Sequence, residues 1–137
     1  MYESMPGAWR GTNRLYLEGA DGPVLTSPST LTAAWAAKKF LELRYDWLHE
    51  NVVQEGVILF GAEGNSAAWV DSFHQSKHPM FCQGEPLNVK GSYSAGEGPD
   101  WGWRITLALQ DEQLILTMYN IAPDGAEYLA VLAEYQR

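Results

Sequence analysis

Along most of this chain, apolar and polar residues alternate one for one. In Lys39–Trp47, KFLELRYDW, Leu41, Leu43, Tyr45 and Trp47 fall on one side, and Glu42, Arg44 and Asp46 on the other. A period of two is the mark of a half-buried strand, because successive side chains point to opposite faces of a sheet. The same rhythm runs through Trp9, Gly11, Asn13, Leu15 and Leu17 against Arg10, Thr12, Arg14 and Tyr16. It recurs in Trp101, Trp103, Ile105, Leu107 and Leu109 against Arg104 and Thr106. Near the C-terminus, Leu129, Val131, Ala133 and Tyr135 oppose Glu134 and Gln136.

Turn residues separate these runs: Ala20-Asp21-Gly22-Pro23, Glu63-Gly64-Asn65, Gly96-Glu97-Gly98-Pro99-Asp100 and Pro123-Asp124-Gly125. Gly, Pro, Asn and Asp either supply unusual φ or fix a bend. The pattern predicts strands over 8–17, 29–36, 39–48, 52–61, 66–74, 79–84, 87–94, 101–110, 113–121 and 126–136. One stretch has two readings. TLTAAWAAKKFLEL, from Thr30, is rich in alanine, a strong helix former, so a short helix over 31–40 competes with strands there. The clean alternation from Lys39 onward favours strands.

Many short strands at regular spacing, joined by tight turns, predict an all-β fold. It is expected to be one antiparallel up-and-down β-barrel of eight to ten strands over residues 1–137. Closure removes the two unpaired edges that an open sheet would leave. A barrel of about eight to ten strands tends to hold one small ligand.

Composition narrows the function. The 137 residues are 46% hydrophobic and 19% charged, enough for a real core. A net charge of -8, with Lys38-Lys39 as the densest basic spot, argues against nucleic-acid binding. No run reaches the length of a membrane span, and MYESMPGAWRGT lacks the basic and apolar regions of a secretory signal. Cys82 has no partner within the chain. These features together predict a cytoplasmic protein with no membrane or nucleic-acid partner. A homodimer stays open.

Four stretches carry a resemblance. They are Gly7-Ala8-Trp9 on the first strand, Leu41 to Trp47, Ala68-Trp69-Val70-Asp71-Ser72, and Ala133-Glu134-Tyr135-Gln136-Arg137 at the end. In their order along the chain they resemble the bacterial "domain of unknown function 1579" family. The resemblance implies a lipocalin-like barrel, similar also to the fatty-acid-binding proteins of the calycin group. It implies no reaction. Haem-binding barrels of similar design carry their axial histidine late in the chain, and here no histidine follows His78. No cofactor is therefore expected.

The segment from Ala68 to Pro86 gathers Asp71, His74, His78 and Cys82. Each is a metal-ligating type. Yet His74 closes a predicted strand on the face opposite Asp71, Pro79 follows His78, and Lys77 adds a repelling cation, so no metal site is expected. The plainer reading is a strand end, a polar turn and a buried thiol. Asp71 shares its face with Ala67, Trp69 and Phe73, which directs a carboxylate inward, where it needs a partner such as Asn13, a tyrosine or an arginine. Six tryptophans and seven tyrosines offer rigid walls with polar tips. The expected function is binding of a small apolar or amphipathic ligand inside the barrel, with Asn13, Tyr45, Trp69, Asp71, Trp103, Met118 and Tyr135 as ligand contacts. One alternative is a cofactor-independent isomerase or lyase, with Asp71 as general acid/base, helped by His74 or Tyr45. The other is a structural or oligomerisation module whose barrel is filled.

Overall fold

In the computed structural model, which describes residues 3–75 and 77–137, the chain is all-β. Ten strands follow one another: β1 Gly7–Leu15, β2 Leu25–Ala36, β3 Phe40–His49, β4 Val52–Phe60, β5 Ser66–Asp71, β6 Met80–Glu85, β7 Asn88–Tyr93, β8 Trp101–Gln110, β9 Gln113–Ile121 and β10 Glu127–Gln136. Each pairs antiparallel with its neighbour in sequence, and β1 pairs with β10, giving a closed up-and-down barrel. No helix among the described residues is long and apolar enough to cross a membrane.

The alternating face does what the pattern predicts. Leu41, Leu43, Tyr45 and Trp47 of β3 are buried with Trp9, Ile58, Trp69, Ile105 and Tyr135 in one continuous core inside the barrel. The alanine-rich run is strand through Ala36, then a turn with Ala37 and Lys38 at positive φ. Tertiary pairing on both sides overrides helix propensity there.

Several strand ends shift by a residue or two, and β2 begins at Leu25 instead of residue 29; three departures from the alternation matter to the packing. β1 stops at Leu15, so Leu17 leaves the sheet and is 59% exposed. β10 carries a bulge between Leu129 and Val131, which buries Ala130 and Val131 side by side. β5 ends at Asp71 instead of running to residue 74, so His74 is not a strand residue. The expectation that it faces away from Asp71 falls with that.

The even number of strands sorts the connections onto two ends. The segments 16–24, 50–51, 72–75 with 77–79, 94–100 and 122–126 gather at one end, called upper here, and the start of β1 and the end of β10 lie at the lower end. Trp9 is buried near the lower end, its indole N–H donating to the Met5 carbonyl at 2.8 Å and the Arg137 guanidinium 4.1 Å from its ring centre.

Candidate functional site

Register builds the site. Tyr45 on β3 faces Gly56 on β4, and Gly56 faces Asp71 on β5, so three inward positions form one row. The middle position has no side chain. A Cβ there would stand 2.1 Å from Tyr45 Cζ and 2.2 Å from its hydroxyl. The tyrosine ring therefore lies across Gly56, and its hydroxyl donates to Asp71 Oδ2 at 2.5 Å. From the next row, Trp69 Nε1 donates to the Tyr45 hydroxyl at 2.9 Å.

The other carboxylate oxygen ends the strand. Asp71 Oδ1 accepts the backbone N–H groups of Phe73 at 2.7 Å and His74 at 2.8 Å. Such local bonding competes with the sheet ladder and turns the chain sharply. Ser72 anchors the same turn from outside: its N–H donates to the Glu55 carbonyl at 2.8 Å, and its Oγ accepts the Glu55 N–H at 2.9 Å. The turn carries Phe73 and His74 across the upper end of the barrel.

There the rings close into a cluster. Trp69 and Trp103 stack 5.3 Å apart and 10° from parallel. The His74 ring lies 5.2 Å from Trp103, 5.9 Å from Trp69 and 6.0 Å from Trp47. Phe73 packs edge-on against Trp47 at 5.1 Å and lies 4.8 Å from His49. Beside this cluster opens a cavity of about 690 Å³, bordered by Trp69, His74, Met80, Tyr93 and Trp103 with Lys77 at its edge. A smaller one, about 320 Å³, lies against Leu15, Trp101 and Tyr128 and shares His74 and Trp103 with the first.

The sheet itself is loose beside the larger cavity. β6 pairs with β7 only over Gln83↔Lys90, Gly84↔Val89 and Glu85↔Asn88. Above that, Met80–Cys82 and Gly91–Tyr93 are bonded only to their outer neighbours β5 and β8. Met80 and Cys82 close the seam by packing onto Gly91, where a Cβ would come within 2.7 Å of Met80 Sδ.

Electrostatics fixes the proton positions. Burial, then the negative charge of Asp71, holds the Tyr45 hydroxyl well above its ordinary pKa, so it remains a donor. Burial lowers the pKa of His74, partly opposed by the Asp71 charge, so the ring is neutral. The unfolded chain therefore takes up a proton at this residue before the folded one. The resulting stability is present above the ordinary imidazole value of 6.5 and is lost as pH falls below it. Melting temperatures taken from about pH 7.5 down to about pH 5 should drop more steeply for the wild type than for His74→Phe. Parallel curves would contradict a buried neutral His74.

The remaining candidates are placed as follows. Asn13 is buried on β1 with its Nδ2 unpartnered among the described residues. Met118 is buried on β9 between Ile105 and Val131. Tyr135 donates to Ser29 Oγ at 2.7 Å, Ser29 in turn donating to the Asp46 carbonyl at 2.6 Å, and burial pushes the tyrosine up to about 12. These three lie in the core and do not border the cavity of about 690 Å³. Asp71 meets Tyr45, not Asn13, and Arg104 pairs with Glu127 instead. Cys82 is buried on the inner face of β6, its thiol raised to about 11 by burial. No three His, Cys, Asp or Glu side chains among the described residues come together as metal ligands.

Sequence reasoning missed Gly56, Phe73 and Tyr93. Tyr93 was within reach, since period two from Val89 directs it inward, where its hydroxyl donates to Asn120 Oδ1 at 2.6 Å. Gly56 gives no signal of its own, because its role depends on what stands beside it on β3 and β5.

No family model matches the chain, and no curated protein is found similar to it. The ten-stranded barrel and the geometry of its upper end are the ground on which function is read.

Proposed function

We propose that the protein binds a small amphipathic ligand at the upper end of the barrel, against Trp69, His74, Met80, Tyr93 and Trp103. The observation that carries this reading is the cavity of about 690 Å³, within the usual size of small-molecule sites and lined by Trp69, Phe73, Tyr93 and Trp103 together with polar groups of Gln75, Lys77, Ser92 and Ser94. The core below it is packed with side chains, which favours the mouth over the deep interior as the place for a ligand.

The arrangement around Asp71 favours binding over catalysis. Both of its oxygens are engaged, one by two backbone N–H groups and the other by Tyr45. A general base needs a lone pair aimed at substrate. Asp71 instead fixes the turn that places Phe73 and His74. The lipocalin-like resemblance, with the finer kinship to the "domain of unknown function 1579" family, fits this reading: its motif residues supply the lower plug, Trp9, a wall of the mouth, Trp69, and the carboxylate that holds the turn beside it, Asp71.

The test is titration with anilinonaphthalene sulfonate, a fluorescent amphipathic probe. One equivalent should bind the native protein. The double change Tyr93→Ala and Trp103→Phe should weaken it by about tenfold, the effect of losing roughly 1.4 kcal/mol of aromatic contact. Phe81→Ser is the control, because Phe81 is 75% exposed on the outer face. Loss of binding in the control, with none in the double variant, would place the probe on the outer surface and refute the proposal.

A further inference from the structure

Resting on that reading, we infer that the ligand is a flat aromatic carboxylate, its ring against Trp103 and Tyr93 and its anionic head toward Lys77 and His78. Three observations converge on this class.

The first is charge. The chain has 17 acidic and 9 basic residues, yet no Asp or Glu borders the cavity, whereas Lys77 and His78 both do. Among the described residues Lys77 makes no ion pair. Asp71, at the end of β5, and Glu55, on β4, border a separate depression of about 350 Å³ that Lys77 and His78 also touch. Asp71 is already committed to Tyr45 and two backbone donors. A cationic ligand would meet Lys77 with no Asp or Glu among the described lining residues to offset it; an anionic one would meet the Lys77 ammonium as its counter-charge.

The second is an unused donor. Trp103 is only 6% exposed, and its Nε1–H has no hydrogen-bond partner among the described residues. A buried donor left unpaired is costly. Trp103 borders both upper cavities, so an acceptor oxygen brought by the ligand is the partner this wall lacks.

The third is shape. The parallel stack of Trp69 and Trp103 is a flat, rigid wall, and Tyr93 is held in place by Asn120. Such a wall favours offset stacking of another ring. A flexible acyl chain gains less there and loses more rotamer freedom.

The experiment compares three probes by calorimetry: naphthalene-2-carboxylate, its uncharged carboxamide of the same shape, and decanoate, a flexible anion. The carboxylate should bind tightest, and Lys77→Gln with His78→Gln should weaken it roughly fivefold while leaving the carboxamide unchanged. Trp103→Phe should weaken both naphthalene compounds. Equal binding of carboxylate and carboxamide would overturn the anionic head. Tighter binding of decanoate would overturn the planar body. If anilinonaphthalene sulfonate binds at Tyr93 but neither naphthalene does, this inference falls alone. If none of the probes binds, the proposed site falls with it.

Discussion

Replacing Trp9 with alanine should lower the unfolding free energy by about 3–5 kcal/mol, read as a shift in the urea midpoint. The side chain is 3% exposed and belongs to the continuous core. Its loss removes a large apolar surface and leaves a hole that the surrounding strands cannot fill. It also removes the ring beneath Arg137 and the donor to the Met5 carbonyl. Arg137 in turn donates to the carbonyls of Pro6, at 3.1 Å, and Ser4. One indole thus ties the N-terminal segment and the C-terminal residue to the lower end. Trp9→Phe, which keeps an aromatic ring beneath Arg137 but loses the N–H and part of the bulk, should lose less than the alanine variant. A loss below about 1 kcal/mol for the alanine variant would mean that the lower end does not depend on this plug.

Trp9 was legible because a strand pattern and a motif agreed on it. The same holds wherever alternation runs unbroken: β8 and β9 fall on their predicted bounds, 101–110 and 113–121. It holds even where the turns carry no glycine or proline. Glu50-Asn51 and Asp111-Glu112 sit at positive φ, as two-residue hairpin turns require; each holds a single Asn or Asp, and the strands on either side mark the turn more strongly than that one residue does. The pattern failed where a side chain acts on the backbone. Phe73 prolongs the period-two rhythm of β5, but the Asp71 carboxylate captures the N–H groups of Phe73 and His74 and ends the strand. That reversal is what makes a mouth, so the error lies at the candidate site itself. Period two sent Tyr45, Trp69 and Asp71 inward. It cannot say which of them meet, because cross-strand register is a property of paired strands and not of one. Tyr45 and Asp71 are joined only because a residue without a side chain stands between them.

That residue gives the sharpest expectation for the site. Gly56→Ala should destabilise the barrel by about 3–5 kcal/mol, a large effect for one methyl group. Gly56 has no positive φ, so a strand backbone accepts alanine there without strain. The whole cost comes from the Tyr45 ring, whose Cζ, hydroxyl and Cε1 would lie 2.1, 2.2 and 2.7 Å from the new Cβ. The ring must move, and its hydroxyl then leaves Asp71, which is only 6% exposed. Overpacking of this kind costs about 1–3 kcal/mol, and stripping a buried carboxylate of a partner adds a similar amount. Trp69 Nε1 loses its acceptor in the same movement. A double-mutant cycle isolates this cause. In a Tyr45→Ala background the obstacle is gone, and adding Gly56→Ala should cost less than about 0.5 kcal/mol. Additive costs would show that Gly56 matters for some reason other than Tyr45. The probe at the mouth gives a second readout. Asp71 holds the turn that carries His74, so Gly56→Ala should also weaken anilinonaphthalene sulfonate at temperatures where the variant is still folded, although Gly56 does not border the cavity of about 690 Å³.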